Sequence, residues 1–139
     1  MPTVTRWMIK SSLLFFVAAL IIRFIQSLSV LQEVLPWISV LGSVYFHLFM
    51  VGWISQLIFG VVYWMFPKQS AERPRGSESL AWAVFWLLNI GLLLRAIGEP
   101  LNALEPGKTW GILLAASALL QWLAGMAFVV NTWSRVKER

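Results

Sequence analysis

Residues 44–67 read VYFHLFMVGWISQLIFGVVYWMFP, an apolar run that contains no ionisable group of the Asp, Glu, Lys or Arg type and one histidine, His47. About 20 helical residues cross the hydrocarbon core of a bilayer, so this run is long enough to span a membrane. Proline ends helices, and we expect Pro36, Pro67 and Pro100 to mark helix boundaries. Four such spans are predicted, over residues 11–28, 38–66, 80–97 and 110–133.

The composition indicates a membrane protein along the whole chain. Of its 139 residues, 59% are hydrophobic and 12% are charged, which is too apolar for a soluble domain of this size. Cysteine is absent, which excludes disulfides, thiolate metal sites and iron–sulfur clusters. No small-residue cleavage site follows the first apolar segment, so we do not expect a cleaved signal peptide. The sequence therefore predicts an all-α fold, an integral membrane four-helix bundle that forms a single domain over residues 1–139.

The basic residues predict how the bundle is oriented. Eight of the eleven lie before the first span, between the second and third spans, or after the fourth. Because positively charged residues stay on the cytoplasmic side, we expect both termini to be cytoplasmic, at the cytoplasmic (inner) membrane. The net charge of +5 is then a topological signal that also suits anionic lipid headgroups, and we expect no nucleic-acid partner. The eight residues are Arg6, Lys10, Lys68, Arg73, Arg75, Arg135, Lys137 and Arg139.

His47, the only histidine of the chain, is the candidate for chemistry. An ionisable side chain within a membrane helix is costly and marks a functional site by default. In the predicted orientation His47 lies roughly 9–13 Å below the outer end of its helix. Arg23 and Arg95 lie near the same outer side, and Glu99 follows Arg95 by one turn. This pattern suits a haem, whose iron binds imidazole and whose propionates bind guanidinium groups.

The same residues also have simpler interpretations. His47 can form a hydrogen bond across a helix interface, a contact worth about 0.6 kcal/mol in membrane proteins. Arg23 can extend to the headgroups, and Arg95 and Glu99, spaced i, i+4, can pair with each other. Close helix packing is the simpler interpretation of three residues at four-residue spacing, namely Gly52, Gln56 and Gly60.

Residues 45–67 resemble the tenth helix of the catalytic subunit of haem-copper oxidases, most closely the C-type (cbb-type) oxidases and nitric oxide reductases. That helix typically reads His-x-His-x-x-x-x-Gly-Trp and ends in Gly-x-x-Tyr-Trp/Tyr-x-x-Pro. When Gly52 and Trp53 are set on the family's Gly-Trp, His47 falls on the second histidine, the axial ligand of the low-spin haem. The first histidine, which binds the active-site haem, falls on Tyr45. A chain with one histidine lacks the family's copper ligands, so the resemblance implies no autonomous oxygen reduction.

The resemblance implies a membrane b-type cytochrome, a free-standing four-helix arc that carries electrons for an oxidoreductase. His47 would be the metal ligand, Arg95 and Arg23 would meet the haem propionates, and Tyr45 and Trp53 would shape the pocket. No c-type attachment motif is present, so the haem b would be bound non-covalently. A second axial ligand would come most simply from another protomer, in a homo-oligomer (dimer or trimer) that shares one haem. Partners in the respiratory chain would be expected beside the lipid bilayer.

Two other classes of protein stay open. A cofactor-free accessory or structural subunit of a larger membrane complex would show the same short loops and the same lack of a soluble domain. A small proton-coupled transporter usually needs a carboxylate within the membrane. We expect Glu33, Glu99 and Glu105 to lie in or near the outer loops, which disfavours the transporter.

Overall fold

The computed structural model describes residues 1–71 and 74–136, and within this part of the chain the fold is helical with no strand. Four helices are long and apolar enough to cross a membrane, with mean hydropathies between 1.7 and 2.1. The predicted all-α fold with four candidate membrane-spanning helices is confirmed. The first to fourth spanning helices cover Thr3–Ser27, Pro36–Met65, Glu78–Leu104 and Lys108–Trp133, and a short helix, Ser29–Val34, follows the first.

The first and second spanning helices run antiparallel, and so do the third and fourth, because residues later in one helix contact residues earlier in the next. Four hydrogen-bonded pairs mark this arrangement: Ser11 with Gln56, Gln26 with Ile38, Ser77 with Asn131, and Gly91 with Ser117. One end of the bundle, which we call the termini end, therefore holds the start of the first and third spanning helices and the end of the second and fourth. Of the eight basic residues used for orientation, Arg73, Lys137 and Arg139 lie outside the described residues.

Two of the three prolines lie where the sequence predicts. Pro36 begins the second spanning helix, and Pro67 follows the residue that caps its end. The prediction for Pro100 is wrong, because the third spanning helix continues past it to Leu104. Proline removes a single N–H from the helix ladder, and the Glu105 N–H still closes the last turn.

The second spanning helix changes its winding near His47. It begins with a 3₁₀ turn over Pro36–Leu41 and an α-helical turn over Gly42–His47, and then becomes π-helical over Leu48–Ser55. Ordinary α-helix resumes over Gln56–Met65. π-helical segments are rare and occur frequently at functional sites. His47 is thus the last residue before a local irregularity.

Small residues let the first and second spanning helices approach closely. A Cβ atom added at Gly52 would lie 2.9 Å from the Cβ atom of Phe15, and one added at Gly60 would lie 3.0 Å from the Cβ atom of Met8. Gln56, between the two glycines, is fully buried. The interpretation of this stripe as a close-packing face is confirmed.

Arg135 closes the termini end of the second spanning helix. Its guanidinium is fully buried and donates to the carbonyl oxygens of Pro67 at 3.1 Å, Tyr63 at 3.0 Å and Phe66 at 2.8 Å. The last carbonyls of a helix have no partner within the helix, so this side chain supplies the missing donors. Burial lowers the pKa of the Arg135 guanidinium, and the nearby positive charge of Arg75 acts in the same direction.

Candidate functional site

His47, Glu99 and Arg95 form a connected polar group within the apolar bundle, and we call them the His47 cluster. The His47 Nδ1 atom lies 3.1 Å from the Glu99 Oε1 atom, and the Arg95 Nη1 atom donates to the same oxygen at 3.1 Å. His47 comes from the second spanning helix, and the other two residues come from the third. Their side chains are mostly shielded, with exposed fractions of 24% for His47, 11% for Glu99 and 19% for Arg95. The carboxylate therefore lies between an imidazole and a guanidinium.

The surroundings of His47 decide which ring nitrogen carries the proton. Besides Glu99, the backbone carbonyl of Ser43 lies 2.9 Å from Nδ1. A carbonyl and an ionised carboxylate can only accept, so Nδ1 must be the donor. In the neutral ring the Nε2 atom then holds the lone pair. Histidines that bind metals are oriented in this way, with the other nitrogen donating to a carboxylate or carbonyl.

Arg95 links the His47 cluster to the fourth spanning helix. Its Nε atom donates to the Ser117 hydroxyl at 3.3 Å, and that hydroxyl donates to the carbonyl of Gly91 at 2.6 Å. Gln121 donates to the same hydroxyl at 3.1 Å. The expected i, i+4 pairing of Arg95 with Glu99 is confirmed. Arg95 is thus fixed by neighbours on two helices.

The third spanning helix extends through Glu99, which the sequence predicts in or near an outer loop. Glu99 lies within the third spanning helix, and its Oε2 atom is buried with no hydrogen-bond partner among the described residues. The contact of Glu99 with His47 is not predicted by the sequence, because the predicted span ends at residue 97 and Pro100 is expected to mark a helix boundary. The i, i+4 spacing predicts only the pairing of Glu99 with Arg95, on the same helix. A buried carboxylate is costly alone, so its pairing with Arg95 and His47 stabilises it.

The other three predicted site residues form contacts outside the His47 cluster. They are Arg23, Tyr45 and Trp53. The Arg23 guanidinium carbon is 5.9 Å from the centroid of the Tyr45 ring, within the range of a cation–π contact. Trp53 packs against Phe16, with ring centroids 4.0 Å apart. Within the described residues, no hydrogen bond, ion pair or ring contact joins these three predicted site residues to His47. The structure therefore brings Arg95 to His47 through Glu99, and pairs Arg23 with Tyr45.

The donor set of the described residues suits one position of a haem iron. No group of three or more histidine, aspartate and glutamate side chains in this part of the chain could hold a metal ion. His47 offers a single imidazole whose free nitrogen is Nε2, with the ring of Phe46 edge-on at 5.8 Å. A single nitrogen donor cannot enclose a bare ion, but it can occupy one axial position on an iron whose other ligands come from a porphyrin.

No family model, curated protein or solved structure matches this chain. The likeness to haem-copper oxidases thus rests on the residues quoted from the second span, and it stays a prediction.

Proposed function

We propose that this protein is a membrane b-type cytochrome, a haem-binding electron carrier related to the catalytic subunit of haem-copper oxidases. One observation carries the proposal. The Nδ1 atom of His47 faces the Ser43 carbonyl and the Glu99 carboxylate, which leaves Nε2 as the nitrogen that can bind iron. The resemblance over residues 45–67 puts the family's low-spin haem ligand on this histidine.

The bound haem would supply one-electron transfer, and the protein's residues would set how easily it occurs. Hydrogen bonding from Nδ1 to the Glu99 carboxylate makes the imidazole of His47 a more basic ligand and fixes the plane of its ring. A more basic ligand favours oxidised iron, so Glu99 would lower the reduction potential. Arg95 holds the carboxylate in place and offsets its charge.

Arg95 and Arg23 differ in how many guanidinium donors they have free for a haem propionate. Arg95 already donates from Nε to Ser117 and from Nη1 to Glu99, so only the other N–H of Nη1 and the two of Nη2 are left for a propionate. Arg23 is exposed, and its described contacts leave its guanidinium nitrogens without a carboxylate partner. Arg23 is therefore the better candidate for a bidentate contact with a propionate.

A second protomer would complete the coordination. One chain supplies one histidine, and an iron bound on both faces needs two axial ligands. We infer a symmetric homo-oligomer, a dimer or a trimer, in which His47 side chains of two protomers share one haem b. The protein would lie in the cytoplasmic membrane with both termini cytoplasmic and would exchange electrons with respiratory-chain partners.

Visible absorption spectra of the detergent-purified protein test the proposal. We expect a Soret band and sharp bands on reduction in the wild type, and their loss in His47→Ala. Ser55→Ala, a small polar substitution on the same helix, is the matched control and should keep the bands. If the wild type shows no Soret band and takes up no added haem, the proposal is wrong, and the cofactor-free accessory subunit becomes the better account.

A further inference from the structure

A basic pocket opens on the first spanning helix at the termini end. It has a volume of about 190 Å³ and is lined by Thr3, Arg6, Trp7 and Lys10. This spacing places all four residues on one face of the helix, and Arg6, Trp7 and Lys10 are exposed there. The Arg6 guanidinium donates to the Thr3 hydroxyl at 3.2 Å. Among the described residues, neither Arg6 nor Lys10 forms an ion pair, so this pocket presents two uncompensated positive charges.

The spacing of Lys10 and Arg23 on the first spanning helix is shorter than the hydrocarbon core is thick. Arg23 follows Lys10 by 13 residues of the same helix. Thirteen residues rise about 20 Å, whereas the hydrocarbon core is about 30 Å thick. The backbone at one or both residues must therefore lie inside the core. A charge whose backbone lies inside the core has to reach outward to the headgroups or have an anionic headgroup beside it.

An apolar groove continues from the pocket towards the middle of the bundle. It has a volume of about 440 Å³, and its lining shares Trp7 with the pocket. On the third spanning helix the lining extends over 82–89, or roughly 10 Å of helix directed away from the termini end. The exposed fraction of Trp86 is 56%, so an aromatic wall is open to the outside. The groove is lined by Trp7, Ser11, Trp82, Phe85, Trp86 and Asn89.

We propose that the basic pocket and the aromatic groove together bind one anionic phospholipid. The phosphate would lie at Arg6 and Lys10, and one acyl chain would follow the groove past Trp86. The order of the two parts, charge at the end of the bundle and apolar surface deeper, matches the order of phosphate and acyl chain in a lipid. Because the haem plays no part in this site, the inference is independent of the proposed function.

The charges around the pocket favour an anionic over a zwitterionic headgroup. Glu78 lines the adjoining cavity, together with Arg75 and Thr3. Over the two cavities this one carboxylate stands against the basic side chains of Arg6, Lys10 and Arg75, so the charge of their lining is positive. A choline headgroup would add a positive charge to such a surface, whereas phosphatidylglycerol adds only its phosphate.

Native mass spectrometry of the full-length protein in mild detergent tests this site. The protein is titrated with dioleoylphosphatidylglycerol or with dioleoylphosphatidylcholine, and bound lipid is counted. We expect the wild type to prefer phosphatidylglycerol and the Arg6→Gln/Lys10→Gln variant to bind it about 30-fold more weakly. The control is Lys68→Gln/Lys108→Gln, which removes the same charge from exposed positions outside the pocket and should bind as the wild type does.

Two further measurements test the acyl chain and the headgroup of the lipid separately. Trp86→Ala should weaken the binding of phosphatidylglycerol by removing part of the groove wall, and circular dichroism should show an unchanged helix content. Glycerol 3-phosphate, the headgroup anion without acyl chains, should fail to displace the bound lipid. Equal binding of the two lipids, an equal loss in the control variant, or displacement by glycerol 3-phosphate would each overturn the proposal.

Discussion

Removing the charge of Glu99 should change the tautomer of His47. The Glu99→Gln substitution replaces a carboxylate, which only accepts, by an amide that can also donate. A hydrogen bond to a charged acceptor contributes about 1.5–3 kcal/mol, and Nδ1–H of His47 would lose this stabilisation. At 1.4 kcal/mol per factor of ten, the ratio of Nδ1–H to Nε2–H tautomers should fall about 10- to 100-fold. The Ser43 carbonyl still accepts from Nδ1, so part of the preference should remain.

Nitrogen-15 NMR of histidine-labelled protein measures this ratio directly. The chain has one histidine, so every labelled imidazole signal belongs to His47. The haem-free protein in detergent should show mainly Nδ1–H at a pH where the ring is neutral. Glu105→Gln, a carboxylate substitution at an exposed position six residues further along, is the control and should leave the spectrum unchanged. A wild-type ring with its proton on Nε2, or a Glu99→Gln spectrum identical to the wild type, would refute the reasoning.

Two packing predictions concern the thermal unfolding of the protein in detergent. Arg135→Ala leaves three carbonyls without their donor and should destabilise the fold by about 3 kcal/mol, whereas Lys68→Ala should have little effect. Equal unfolding midpoints for these two variants would show that Arg135 does not hold the helix end. Gly52→Ala should cost about 1–3 kcal/mol, because its Cβ atom would lie 2.8 Å from the Leu92 Cδ2 atom. Gly111→Ala, whose Cβ atom would meet nothing within 4 Å, should be neutral or stabilising, and a similar loss in both glycine variants would contradict the close-packing account.

The helical architecture could be predicted because it follows from chain composition. Apolar runs of sufficient length leave a helix as the main structure that satisfies its own backbone in a membrane. The helix bounds were less accessible, since hydropathy detects the apolar core of a helix and not its polar ends. For this reason the predicted first span starts only at residue 11, although the helix begins at Thr3. The predicted third span likewise ends at residue 97, although the helix continues to Leu104. Glu99 lies in this unpredicted extension.

The candidate site could be predicted only in part. A lone histidine in an apolar run identified His47, and helical spacing identified the pair of Arg95 and Glu99. The contact of His47 with Glu99 joins two helices, and sequence spacing carries no information about a contact between helices. The π-helical segment after His47 has no signature in residue type that would reveal it. The role of Arg135 was hidden among the other basic residues near the chain's end, because burial depends on packing and not on charge.

Rescue by free imidazole tests the central claim, that the Nε2 atom of His47 binds haem iron, most directly. His47→Gly removes the ligand and leaves a space where it stood. We predict that the haem-loaded wild type shows sharp bands on reduction, that His47→Gly loses them, and that added imidazole restores them. A His47→Gly protein that keeps the wild-type spectrum without imidazole would contradict the claim, because another group would then be the ligand.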